Sequence, residues 1–448
     1  MELAFTAEQE TLRKEVRAYF AAMMTPEVLD EVAAGETGGP ACLAAVRQMG
    51  ADGWLGLGWP TEFGGRALGE VEQFIFSDEA WRAQAPIPFL TVNTVGRTIM
   101  EFGTEAQKTF FLPRILAGEL HFAIGYTEPT AGTDLASLRT TAVRDGDEWV
   151  INGQKIYTSL ASYSDYVWLA ARTDPDAPKH QGITIFAVPT SDPGFSYTKI
   201  DTMVNASTYT TYYDDVRVGD DAIIGELHGG WSMITNQLNY ERVSLGPPGM
   251  ISAAVEDVIS WAKRTTLADG RRVIDQDWVR DDLARVVARL HAVTLMSWKV
   301  ASTAGADPAE SSATKFYATE FYLDAHRRLM TVLGPAAALE RGQEQPRPGA
   351  AECGCRDAHR DGAVDQLCGR SHRASRQRHG IPGVCRARLL RQQLGRESRF
   401  RDRPDSSDAE PCRRRGRSSG GDEIGARRRP TRMAQRWNSR IVGCKGVL

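Results

Sequence analysis

YTEPTAGTDL, residues 126–135, and NGQKIYTS, residues 152–159, mark the place where this chain changes its periodicity. The first is a turn rich in Gly and Thr, a composition that brings backbone N–H groups and hydroxyls close to whatever it faces. The second ends EWVINGQKIYTS, one of a series of short β-rich runs with DYVWLAAR, GITIFAVP and DDVRV that fill the chain from about His121 to Gly225, separated by Gly, Asp and Pro. On both sides of this series the period is helical. The pattern therefore predicts an α+β protein with an N-terminal helical domain over residues 1–120, a β domain over 121–226 and a helical bundle over 227–340.

On the N-terminal side, Thr6 and Gln9 have the spacing of a capping box, and Phe5, Leu12, Val16 and Phe20 follow helical steps. GWLGLGWPTEFGG, residues 53–65, interrupts the helices with a compact turn. On the C-terminal side, helical spacing returns in WSMITNQLNYERVSL, in ISAAVEDVISWAKR, from Asp277 to His291, and in SATKFYATEFYLDAHRRLMTVLG.

Beyond Glu340 neither period is present. The net charge of −3 conceals a split: residues 342–448 carry 24 Arg and one Lys against 12 acids, a net of +13, which leaves −16 for the rest. Six of the seven cysteines lie in this tail, none with the CxxC spacing of a zinc site, so no metal is expected. After Ala351 the only aromatics are Phe400 and Trp437, too few to bury a core, and residues 341–448 read as unstructured. The start, MELAFTAEQETLRKEV, lacks the apolar centre of a signal peptide, and no apolar run is long enough to cross a bilayer, so a cytoplasmic protein without membrane contact is expected.

One residue departs from its local pattern. Trp231, Ile234, Leu238, Glu241 and Leu245 step by three and four, which puts Glu241 on the apolar face of its helix. Burial raises the pKa and basicity of a carboxylate, and such a group can act as a general base. The alternative is a carboxylate at a bundle edge that pairs with an arginine. Pro247 and Pro248 follow closely and should bend the helix just past Glu241.

The turn at 126–135 and NGQKIYTS together resemble the flavin-binding signature of the acyl-CoA dehydrogenases. FTAEQETLRKEVRAYF, GWLGLGWPTEFGG, FGTEAQKTFFLPRILAGE and DDVRVGDDAIIGE also look like that family, in the family's order, over about residues 1–340. The resemblance implies a helical domain, a β domain and a four-helix bundle, with FAD between the last two and across a subunit interface. It implies that Tyr126, Thr127, Gly132 and Thr133 line the flavin and thioester side, that Tyr157 stands as an aromatic wall where many relatives have Trp, and that Ser159 donates to the flavin. LNYERVSLG resembles the type with an early base position, as in isovaleryl-CoA and long-chain acyl-CoA dehydrogenases, which makes Glu241 the base that removes the α-proton. Arg242 matches an arginine common to the family, for local structure or the CoA side.

The implied activity is α,β-dehydrogenation of an acyl-CoA to the trans-2-enoyl-CoA in fatty-acid or related lipid catabolism. Electrons would pass to an electron-transferring flavoprotein, and the assembly would be a homo- or hetero-oligomer. An oxidase of the same fold is a close alternative. A non-catalytic or partner-dependent subunit of a heteromer is a further one, because two features depart from the family. Where an RxxFG-like segment should reach the FAD pyrophosphate, RTTLADG keeps Arg264 and loses the aromatic. The family's last helices are not visible after Glu340, and an Arg/Gly/Cys/Ser-rich, Lys-poor sequence is what a GC-rich gene yields out of frame. In an adjacent frame, VDQLCGRSHR can be back-translated to SINSAAGATE, which resembles the family's closing helix. A genuine Arg-rich tail binding nucleic acid or anionic lipid is the competing explanation, but its basic residues are not interleaved with aromatics and no base-reading module accompanies them; no nucleic-acid partner is expected.

Overall fold

Helix α1, Ala7–Met23, starts at the capping box expected from sequence, with Thr6 Oγ1 accepting from Gln9 N–H and the Gln9 side chain returning to Thr6 N–H. The computed structural model describes residues 5–202, 207–244, 247–302 and 308–338, and for 239–244, 308 and 338 the backbone alone. The Arg-rich tail read from sequence lies outside the described residues. Contacts gather the described residues up to Leu333 into one unit, and the 3-10 turn Gly334–Ala338 falls in a second.

Helices α2, Pro26–Ala34, and α3, Pro40–Ala51, follow, and the fully buried Val16 and Phe20 of α1 share a core with Phe76 of α4, Glu70–Ala83. The Arg17 guanidinium makes two hydrogen bonds with Glu79, which is 2% exposed. After α4 comes a π-helical segment, Leu90–Gly96, continuous with α5, Arg97–Phe102. A Cβ on Gly96 would lie 2.4 Å from the Trp59 ring, so the absence of a side chain there lets the buried tryptophan of the 53–65 turn pack against the π-helical segment. Helix α6, Glu105–Leu116, ends the helical region.

Among the described residues eight strands form the sheet: β1 Phe122–Gly125, β2 Thr141–Asp145, β3 Glu148–Lys155, β4 Tyr166–Arg172, β5 Ile183–Pro189, β6 Phe195–Ile200, β7 Thr208–Gly219 and β8 Ile223–Ile224. Their order is β6-β7-β3-β2-β4-β5-β8, with β1 parallel to β4 on the side of the path. On β4, Trp168 and Ala170 join the core shared with the helices, while Val167, Leu169 and Ala171 join a second core with Trp149 and Phe186. Both faces of β4 are thus covered, which explains its continuous apolar run.

The bundle consists of α7 Gly230–Ser244, α8 Gly249–Arg264, α9 Asp277–Ser302 and α10 Pro308–Leu333. Two expectations are corrected here. The prolines do not bend one helix: they separate α7 from α8, and Pro248 becomes the N-cap of α8. A helix start tolerates proline because its first N–H groups have no intrahelical partner anyway. The third helix continues past His291 to Ser302, burying Val293, Ser297 and Val300 on one stripe.

The start of α8 is held from two sides. Tyr322 on α10 donates its hydroxyl to Pro247 O at 2.7 Å, and Gly249 N–H donates to Asp78 Oδ1 on α4. Burial pushes the Asp78 carboxyl up to about 7, although the Gly249 N–H acts in the opposite direction. A folded pKa above the unfolded value of about 4 means that stability from this group is complete below about pH 4 and is lost as pH rises through 7. Asp78→Asn keeps an acceptor for Gly249. It is expected to flatten the fall in urea midpoint between pH 5 and 8 relative to the parent protein.

Candidate functional site

The turn after β1 is fastened by a buried ion pair. Glu128, 5% exposed, accepts from Lys155 Nζ at 2.8 Å, from Arg139 N–H at 2.7 Å, and from the N–H and hydroxyl of Thr140 at 2.8 and 2.7 Å. Lys155 at the end of β3 is fully buried and also donates to Tyr126 O at 3.2 Å. Burial alone would raise the Glu128 pKa, but the Lys155 ammonium and the Thr140 donors hold it below the usual carboxylate range. Burial pulls Lys155 down to about 8 against the pull of Glu128. The β3–β7 register shifts between Ile151 and Gly153, just ahead of the lysine, with the extra residue on β7, and Gly153 takes a positive φ of 152°. A Cβ there would come within 2.5 Å of the Thr140 hydroxyl, which bonds Glu128.

Tyr126, 7% exposed, ties the same turn to the bundle. Its hydroxyl accepts from Trp168 Nε1 on β4 at 3.0 Å and donates to Gln237 Oε1 on α7. Gln237 is 1% exposed, and its Nε2 has no partner among the described residues. Tyr126→Phe would strand the Trp168 N–H and the Gln237 carbonyl. With about 1–3 kcal/mol for each buried group left unpaired, the expected loss is about 2 kcal/mol or more, read from urea unfolding.

The other residues singled out from sequence are placed as follows. Thr127 is half-buried and its carbonyl accepts from Ile156 N–H at 2.8 Å, so the two sequence stretches meet there. Gly132 and Thr133 are exposed at the outer edge of the turn, and a Cβ on Gly132 would meet nothing within 4 Å. Tyr157 is 63% exposed at a φ of 61°, and Ser159 Oγ donates to Thr208 Oγ1 at 3.4 Å. Arg264 is exposed at the last turn of α8. The backbone at Glu241 and Arg242 is helical within α7, and their side chains lie outside the described residues.

Open space over Gly132, and a buried amide donor with no partner among the described residues beside Tyr126 at the start of the same turn, fit a planar guest that carries carbonyl oxygens, as a flavin does. Among the described residues no group of His, Cys, Asp or Glu is arranged to hold a metal, and no helix is long and apolar enough to cross a membrane.

Sequence reading passed over Glu128, Lys155, Trp168 and Gln237. Lys155 carried a signal, since it shares the inward phase of β3 with Trp149 and Ile151. Gln237 stands three residues after Ile234, on the apolar face, but stepping by four leads to Leu238 instead. In the structure Gln237 is the more buried of the two.

Three family descriptions match consecutive parts of the chain: acyl-CoA dehydrogenase N-terminal domain at residues 6–119, middle domain at 123–216 and C-terminal domain at 228–353. FadE26 of Mycobacterium tuberculosis, an acyl-CoA dehydrogenase, is 51% identical over 362 residues, which cover 78% of this chain and 90% of FadE26. FadE29 of the same organism is 49% identical over 337 residues, 75% of this chain and 86% of FadE29. Among solved structures, the ChsE4-ChsE5 complex from M. tuberculosis superposes with a TM-score of 0.73 at 51% identity, covering 77% of this chain and 89% of that one. The Tcur3481-Tcur3483 steroid ACAD gives 0.72 at 46% identity, with coverages of 77% and 89%.

Proposed function

The chain belongs to the acyl-CoA dehydrogenase family, and from that premise we propose that it is the catalytic subunit of a heteromeric, FAD-dependent dehydrogenase acting on a bulky, steroid-type acyl-CoA. The observation that carries this reading is the Tyr126–Gln237 hydrogen bond, which joins the turn assigned to the flavin directly to the helix that contains Glu241.

In this reading Glu241 takes the α-proton of the thioester. FAD, when bound, supplies the acceptor for the β-hydride. Thr127, Gly132 and Thr133 would present N–H groups and hydroxyls to the ligands, the Glu128–Lys155 pair keeps that turn in one conformation, and Tyr157 and Ser159 would flank a bound flavin. Arg242 would serve the CoA side, and Arg264 would reach the cofactor of a neighbouring subunit. Product leaves as the trans-2-enoyl-CoA, and electrons pass to an electron-transferring flavoprotein.

Heteromeric assembly and a steroid-type acyl group are supported by the ChsE4-ChsE5 complex and the Tcur3481-Tcur3483 steroid ACAD, two assemblies whose chains resemble this one. The loss of the aromatic after Arg264 favours dependence on a second chain. The test is anaerobic reduction of the holoprotein by a steroid-side-chain acyl-CoA and by octanoyl-CoA, in the assembly isolated from its native cells. Faster bleaching with the steroid thioester, in a complex containing a second dehydrogenase-like chain, is expected. Reduction by octanoyl-CoA alone, or full activity of a homo-oligomer, would overturn the respective part.

A further inference from the structure

Gln237 is more than a strut between Tyr126 and α7. The Trp168 indole N–H can only donate, so the Tyr126 hydroxyl accepts there and gives its own proton to Gln237 Oε1. The amide is thereby oriented, with its NH₂ group on the side away from the tyrosine. That group is buried and has no partner among the described residues. A buried donor with nothing to bond is a cost that a ligand oxygen would remove.

Two neighbours indicate which ligand. Tyr126 opens the turn that runs through Thr127 to Thr133, and Gln237 precedes Glu241 by one turn of the same helix. We propose that Gln237 is a ligand-binding residue whose Nε2–H donates to a carbonyl oxygen that gains negative charge during the reaction, either on the flavin ring or on the acyl-CoA thioester. Both oxygens share this chemistry: the flavin carbonyl becomes electron-rich on reduction, and the thioester carbonyl becomes enolate-like as the α-proton departs. A donor held in place by Tyr126 and Trp168 needs no reorganisation to meet that charge. The assignment rests on the reading that FAD and an acyl-CoA meet at this seam.

The test uses the full chain reconstituted with FAD. Gln237→Met matches the side chain in size and removes the donor, and Gln237→Glu keeps an acceptor for the Tyr126 hydroxyl in case the methionine variant folds poorly. If the partner is the flavin, reduced FAD should bind about tenfold less tightly relative to oxidised FAD, a fall in two-electron potential of about 30 mV measured without acyl-CoA. If it is the thioester, the potential is unchanged, but a non-oxidisable 3-thiaacyl-CoA should bind about tenfold more weakly and lose the long-wavelength absorption of its enolate against the flavin. Variants matching the parent in both potential and 3-thiaacyl-CoA band, with only a lower melting temperature, would overturn the proposal and leave Gln237 a strut. A parent chain that takes up no FAD would defeat the underlying reading and the proposal with it.

Discussion

Glu241→Gln is expected to bind FAD like the parent and to be reduced by acyl-CoA slower by about 10²–10⁴-fold, the contribution of a positioned general base. The substitution keeps size and hydrogen-bonding capacity while removing basicity, so a loss confined to the reductive rate would isolate the proton-transfer step. No other single change should affect the rate as strongly. The residue lies on α7, four positions after Gln237, which is buried against Tyr126. Anaerobic stopped-flow absorbance checks it, and a variant reduced as fast as the parent would return Glu241 to an ion pair at the bundle edge.

Lys155→Met should have the largest effect on stability. It removes one partner of a buried pair and leaves the Glu128 carboxylate, 5% exposed, with only neutral donors. Breaking a buried ion pair by deleting one partner costs about 3–5 kcal/mol. Removing both, as in Glu128→Gln with Lys155→Met, should cost less than the single change, since no uncompensated charge remains. The same double variant should still lose FAD affinity, because Glu128 is also what holds Arg139 and Thr140 N–H across the turn. Urea midpoints and flavin content of the three proteins give both readings.

How far the sequence carried the fold follows from where its periodicity was local. The capping box at Thr6, the β-rich middle and the helices of the bundle are written in spacing and turn residues, and the family's motifs carry the architecture. What spacing could not show is how distant residues pair. Lys155 has the inward phase of its strand, but its partner Glu128 is brought over only by the turn. Gln237 falls on the apolar face of its helix, but the Tyr126 hydroxyl and Trp168 that orient it come from the β domain. The prolines at 247 and 248 illustrate the opposite error. Their lack of N–H groups is a local property, but whether they bend a helix or start a new one depends on Tyr322 and Asp78, which arrive from other helices.

In the proposed function this chain carries both the flavin and the base for acyl-CoA oxidation. The most direct test is the visible spectrum of the FAD-reconstituted full-length protein before and after acyl-CoA is added without oxygen. A flavin spectrum that bleaches with the thioester, and does not bleach in Glu241→Gln, is the predicted result. Bound flavin that no acyl-CoA reduces, with or without a second dehydrogenase-like chain present, would contradict it.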